Sequence, residues 1–289
     1  MSGTLQFVRL LMVLLLIPAF LLPSPARAAT VTKVLTILLE NHGVSSATSG
    51  MPYLASLGQK YGRTTDYRSL THPSLPNYLS LAAGTTFGIH DDQSPSVHRL
   101  PGPSVFDLAL SRGRTAKTYA ESMGSTPCRQ STSGYYAARH NPWVYFVQEH
   151  TNCTRNDVDA GTTQSGSLHT DTVQGHLPNV GLLVPNLCHD AHNCSLGIAD
   201  SWLRQWIPMI QSGPDWRAGR LAIVITFDEV EGTGTGTLLT VVMSPQVSNK
   251  VVAVPLNHYS WTRWMTDSVG ASPLRNGSGA TSLGKAFGL

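Results

Sequence analysis

Five short apolar runs, each rich in β-branched residues and none alternating with polar ones, constrain this chain more than any other feature. They are Val34–Leu39, Thr115–Ala120, Val180–Val184, Leu221–Phe227 and Leu238–Met243. A strand with one wet face alternates apolar and polar residues. A continuous apolar run belongs instead in a sheet covered on both faces, and such sheets are typically parallel. Between the runs lie stretches of helical character. Ser104–Arg112 stops at Gly113, a residue type that ends helices in a left-handed turn. Ile198–Ile210 sets Ile198, Trp202, Leu203, Trp206 and Ile210 on one stripe, with Pro208 expected to kink its end. His258–Val269 carries Trp261, Trp264 and Met265 on one side. Strands alternating with helices predict a three-layer α/β/α sandwich with a mostly parallel central sheet. No internal repeat or long linker interrupts the chain, so residues 29–289 read as one domain.

Residues 1–28 stand apart. Arg9 precedes an apolar run, Leu10–Leu22, broken by Pro18 and followed by Pro23 and the small-x-small sequence Ala26-Arg27-Ala28. This is the pattern of a signal peptide cut after Ala28. No later stretch reaches the ~18 apolar residues of a membrane span, so the expectation is a secreted, soluble monomer without stable membrane insertion. Export makes disulfides the default for Cys128, Cys153, Cys188 and Cys194. Three pairings are open, and proximity in sequence favours Cys128–Cys153 and Cys188–Cys194. A zinc knuckle on Cys188-His189 and His192-Asn193-Cys194 is the rival reading, and oxidation would remove its thiolates.

Composition closes off other classes. With 41% hydrophobic and 13% charged residues, the chain is not disordered. Its net charge falls from +3 to +1 once Arg9 and Arg27 leave with the signal segment, too weak a field for nucleic acid.

Three strands end in chemistry-bearing residues. Val34–Leu39 runs into Glu40-Asn41-His42, Val180–Val184 into Pro185-Asn186 and then Asp190 and His192, and Leu221–Phe227 into Asp228-Glu229. Ligands of open α/β sheets bind outside the carboxyl ends of the strands, so these groups are expected to converge on one rim. The stretch Thr71-His72-Pro73-Ser74-Leu75-Pro76-Asn77-Tyr78 supplies a nucleophile. Pro76 suits the first turn of a helix running through Tyr78–Ala83 to Gly84, which places Ser74 just ahead of a helix N-terminus, a natural phosphate site. Read locally, a capping serine and a proline-set turn is the slightly favoured reading of the same residues. The histidines His90, His98, His150, His169 and His176 read as solvated.

Glu40-Asn41, the Thr71–Tyr78 stretch, Arg139-His140-Asn141-Pro142-Trp143, Pro185-Asn186 with Asp190 and His192, Asp228-Glu229 and His258-Tyr259 resemble, in order and context, the phosphoesterase family. That family, within the alkaline phosphatase superfamily, includes bacterial acid phosphatases, phospholipases C, and short secreted mycobacterial acid phosphatases acting on phosphatidylinositol 3-phosphate. The resemblance implies that Ser74 forms a phosphoserine intermediate. It implies a divalent metal ion held by Glu40, Asn41, Ser74, Asp228 and Glu229, with Asp190 as a further member. An oxygen-rich shell favours magnesium, manganese or calcium. It implies that His72, His140 and His192 contact phosphate, one of them protonating the leaving oxygen, with Asn77 and His258 as further members of the site. The expected function is hydrolysis of a small phosphomonoester or a phosphoinositide. A phospholipase C acting on diesters and a catalytically silent surface-binding protein are the alternatives.

Overall fold

The computed structural model describes residues 30–289, so the expected signal segment lies outside the described residues. Among the described residues, ten strands follow in chain order: β1 Lys33–Leu39, β2 Gly62–Thr64, β3 Tyr67–Arg68, β4 Ala116–Ala120, β5 Asp157–Asp159, β6 Val180–Val184, β7 Leu221–Phe227, β8 Val241–Met243, β9 Lys250–Val252 and β10 Leu256–Asn257. Eight of them form one sheet in the order β5-β4-β6-β1-β7-β8-β2-β9, and β3 and β10 form a separate pair. β1 lies parallel to both β6 and β7, and β4 parallel to both β6 and β5. β8 runs against β7 and β2.

The apolar runs mark the centre of this sheet. Every residue of β6 and β7 is buried, as is every residue of β1 after Lys33. Helices cover the sheet in two packed groups. One gathers Ser74–Ala83, Val105–Ser111 and His258–Ser268; the other gathers Pro52–Lys60, Ser167–Gln174 and Leu196–Gln211. The expected α/β/α sandwich is therefore the architecture. Trp261 ties helix to sheet, its indole N–H donating to Thr36 Oγ1 at 2.6 Å.

Local differences have physical reasons. The run Leu238–Met243 yields only the three-residue β8, because Leu238 N–H is spent on Tyr67 O and Thr240 O accepts from Thr64 outside the regular ladder. The helix at Leu196–Gln211 buries Trp202, Leu203, Trp206 and Ile210 as expected, but Ile198 at its start stays exposed, and Ala199 and Ile207 complete the apolar face. Both favoured disulfides are present, Cys128–Cys153 and Cys188–Cys194, which leaves no thiolate for a zinc knuckle.

One buried acid gives the fold a pH dependence. Asp157 on β5 is fully buried, and both its oxygens accept from Asn141 Nδ2 at 2.9 Å. Burial lifts its carboxyl to about 7. The folded state then holds a proton that the unfolded state has already released. Asp157 therefore contributes its full stability below the ordinary aspartate range and loses it as pH rises toward 7. The thermal midpoint should fall across that window, and Asp157→Asn should flatten the fall. Each kcal/mol lost moves the midpoint of a domain this size by about 2–4 °C, within reach of calorimetry.

Candidate active site at the carboxyl edge of the sheet

The pairing of β1 with β7 sets Leu39 opposite Phe227, so the next residues, Glu40 and Asp228, leave the sheet side by side. Asn41 turns the chain at φ 52°, in the left-handed region that asparagine tolerates better than most residues. Its backbone N–H donates to Asp228 Oδ1 at 3.0 Å and its Nδ2 to Glu40 Oε2 at 3.2 Å. Glu229 N–H donates to the same Asp228 oxygen at 2.7 Å.

Ser74 is the first residue of its helix, not the one ahead of it, and Pro73 is the cap. The helix starts earlier than Pro76 suggests because N–H groups of the first turn have no intrahelical acceptor, so a proline there forfeits nothing. Ser74 Oγ donates to Glu40 Oε2 at 2.9 Å. Asp92 takes the next N–H, from Leu75, at 2.9 Å. Asn77 braces the loop from behind: its Oδ1 accepts from Leu70 and Thr71 N–H, and its Nδ2 donates to Thr71 O at 2.8 Å and Glu229 Oε2 at 3.3 Å.

The imidazoles divide by position. His140 is buried and stacks on Tyr78 with ring planes 4° apart and centroids at 5.1 Å. Its Nδ1 lies 3.0 Å from Asp190 Oδ2 and its Nε2 3.3 Å from Glu40 Oε1. His192 stands exposed at the rim, its ring centre 5.7 Å from that of His140. Arg139 Nη2 donates to His192 Nε2 at 3.0 Å, which leaves His192 Nδ1–H for Asn193 Oδ1 at 2.7 Å. His72 sits at the opposite rim with Nδ1 2.9 Å from Glu229 Oε1. His258 faces inward: its Nε2–H donates to Asp228 O at 2.6 Å and its Nδ1 accepts from Tyr67 O–H at 3.2 Å.

The fold thus gathers Glu40, Asn41, Ser74, Asp228, Glu229, His72, His140 and His192 at one edge. Asp190 stands behind them, one oxygen on His140 and the other accepting His192 N–H at 2.7 Å. Asn77 and His258 support the site with their side chains already engaged. The loop closed by Cys188–Cys194 carries Asp190 and His192 toward the site and turns His189 away to Glu121, at 2.9 Å.

Charge is concentrated and dry here. Burial, then the neighbouring charges of Asp228 and Asp190, push Glu40 well above the usual carboxylate range. Burial and Asp228 lift Glu229 to about 9, and burial raises Asp228 itself. Burial lowers His140 to about 3 and His258 to about 4, so neither is a cation that could balance these acids. Glu40 Oε1 and Asp228 Oδ2 are buried without a hydrogen-bond partner. Buried carboxylates left unpaired are costly, and this oxygen-donor set, with Asn41 and Ser74 beside it, fits a hard divalent cation.

Three contributors were missed in the sequence. Asp92, which no sequence motif singles out, accepts from Leu75 N–H and approaches Arg139 Nε at 3.8 Å. Tyr78 and Arg139 lie within the quoted motifs, but nothing local reveals that one stacks on His140 and the other reaches His192.

The model of the phosphoesterase family matches residues 46–235. A phosphatidylinositol-3-phosphatase of Mycobacterium tuberculosis is 28% identical over 80% of this chain and 74% of its own length. An acid phosphatase of Aspergillus fumigatus is 29% identical over 65% of this chain, which spans only 42% of that relative. A Vibrio parahaemolyticus protein of the alkaline phosphatase superfamily has the same fold at 12% identity, with a TM-score of 0.59 over 88% of this chain and 70% of its own.

Proposed function

The chain belongs to the phosphoesterase family, and from that premise we propose that it is a secreted, metal-assisted phosphomonoesterase working through a phosphoserine at Ser74. The observation that carries the reading is the bond from Ser74 Oγ to Glu40 Oε2, 2.9 Å long, at the first turn of a ten-residue helix. The hydroxyl is oriented, its proton has an acceptor, and the helix end favours the phosphate that would be attacked. Ser74 Oγ would bond to phosphorus as the ester P–O bond breaks and the alcohol leaves. Water would then hydrolyse the phosphoserine, releasing inorganic phosphate and restoring the hydroxyl. His72, exposed and anchored through Nδ1 to Glu229, has its second nitrogen free to protonate the departing alcohol. His140 and His192 line the other side of the phosphoryl position.

Glu40, Asn41, Ser74, Asp228 and Glu229 would hold the divalent ion, magnesium, manganese or calcium by donor type. Such an ion supplies Lewis acidity that stabilises a serine alkoxide and a phosphoryl oxygen. Residues 29–289 act as one domain in this reading, the protein is a monomer, and the substrate is a small phosphomonoester or a phosphoinositide headgroup. The named activities of the mycobacterial and fungal relatives support the ester class.

A monoester brings a dianion, and a helix end, a cation site and several imidazoles suit that extra charge. The protein should therefore hydrolyse a phenyl phosphomonoester with a kcat/KM at least about tenfold above that for a phosphocholine diester, about 1.4 kcal/mol of discrimination. Equal efficiencies, or diacylglycerol as the main product from phosphatidylcholine, would make it a phospholipase instead.

A further inference from the structure

Beside the catalytic edge lies a cavity of about 920 Å³, a size typical of small-ligand sites. It joins the site at two residues. Asp92 lines it and accepts the N–H of Leu75, the residue after Ser74, at 2.9 Å. Arg139 lines it and donates from Nη2 to His192 Nε2 at 3.0 Å, while its buried Nε has no hydrogen-bond partner. One wall is the segment 126–132. That wall is tied down: Cys128 is bonded to Cys153, Tyr136 O–H donates to Arg129 O at 2.7 Å, and Thr132 Oγ1 accepts from Ala138 N–H at 3.1 Å.

The lining selects by polarity. Ser94, Ser96, Thr126, Gln130, Ser131 and Thr154 supply hydroxyls and an amide. Among the lining residues Pro127 is the only exposed apolar side chain, and Tyr145 is wholly buried with its hydroxyl on Gln93 O. A flat base or the chains of a lipid find no face to lie on, whereas a hydroxylated ring finds donors and acceptors. Charge narrows the occupant further. Asp92 is the only acid on the lining, against Arg129 and Arg139, and it is already engaged by Leu75 N–H. Arg129 has no acidic partner among the described residues. Its guanidinium makes one hydrogen bond there, Nη1 to Met123 O at 3.1 Å, which leaves the Nε–Nη2 edge free.

We propose that this cavity is a leaving-group subsite for phosphomonoesters whose alcohol is a soluble polyol carrying a second phosphate, and that Arg129 selects that second charge. A guanidinium with one free edge binds phosphate oxygens in pairs. Its backbone is held by Tyr136 and its Nη1 by Met123, so little freedom is lost when it does so. That the occupant is an alcohol departing from Ser74 rests on the phosphomonoesterase reading. That the cavity takes a hydroxylated anion rests on its lining alone.

Turnover and binding test this separately, with sugar phosphates that share one ring. The kcat/KM of the wild type for fructose 1,6-bisphosphate should exceed that for fructose 6-phosphate by at least about tenfold, and Arg129→Gln should cut the ratio by about the same factor. Calorimetric titration of Ser74→Ala should show the same preference in Kd, and adding Arg129→Gln should remove it. Thr154→Glu, an exposed lining position on the helix His150–Asn156, should weaken bisphosphate binding by a similar factor, which keeps the test decisive if circular dichroism shows Arg129→Gln misfolded. Hydrolysis of phenyl phosphate with no preference for the bisphosphate, or a preference that neither substitution moves, would overturn the subsite and leave the phosphomonoesterase reading intact. Phosphatidylcholine vesicles doped with a phosphorylated phosphatidyl-polyol should compete no better than the free bisphosphate at equal accessible phosphate. Tighter competition would overturn the soluble occupant in favour of a lipid headgroup. An intact, Arg129-dependent binding preference in a protein that hydrolyses none of these esters would overturn the phosphomonoesterase reading and leave the anion subsite standing.

Discussion

Ser74→Ala should lower kcat by at least about three powers of ten while leaving the far-UV circular dichroism spectrum unchanged, because losing a covalent nucleophile removes the reaction's first bond. The structural cost of the change is small. Ser74 makes no side-chain cap, since the N-cap position is held by Pro73, and the main bond lost is the one to Glu40 Oε2. A brief acid quench of the wild type during turnover should trap phosphate on the peptide containing Ser74, and the alanine variant should trap none. Activity in the variant above about one hundredth of wild type would remove the covalent role, because the rest of the site could not then be waiting on that hydroxyl.

Exhaustive chelation should produce a loss of similar size, reversed by adding back a hard divalent ion. Glu40, Asp228 and Glu229 are all buried, and two of their oxygens, Glu40 Oε1 and Asp228 Oδ2, have no partner. Without a cation these acids are driven toward the protonated state, as the upward shifts of all three indicate. The chelated protein should therefore also take up protons at neutral pH. That uptake is measurable as alkalinisation of a weakly buffered solution, and it should reverse when the ion is restored. Full activity in a preparation shown metal-free by elemental analysis would refute metal assistance.

What the sequence revealed followed from local rules. β1, β6 and β7 were legible because burial on both faces leaves a run without alternation, and their ends were legible because ligands of such sheets gather at carboxyl termini. That Ser74 lies near the strand ends was legible in its motif, but its place in the helix was not, since a proline in the first turn is compatible with more than one start. The reversed direction of β8 was invisible: a three-residue buried strand reads the same either way. Ile198 fitted the apolar stripe yet stays exposed, because the buried face of its helix, Leu196–Gln211, runs through Ala199, Leu203, Trp206, Ile207 and Ile210 and leaves Ile198 at its margin. Asp92, Tyr78 and Arg139 act through partners distant in the chain or across the sheet edge, which spacing along one segment cannot encode. His258 was read as a member of the site; its two nitrogens are engaged by Tyr67 and the Asp228 carbonyl, and so it holds the strand end in place.

The seven paired positions of β1 and β7 also decide where this protein tolerates changes in length. Glu40 and Asp228 are neighbours only because Leu39 and Phe227 are, so inserting one residue within either strand would advance its terminal acid by about 3.3 Å and turn it to the opposite face of the sheet. Added residues in the exposed turn around Gly232 and Gly234 leave that alignment untouched. Length variation among relatives, and any tag or reporter placed inside the chain, should therefore be confined to such turns. A deletion series through Leu221–Phe227 should lose activity at its first member.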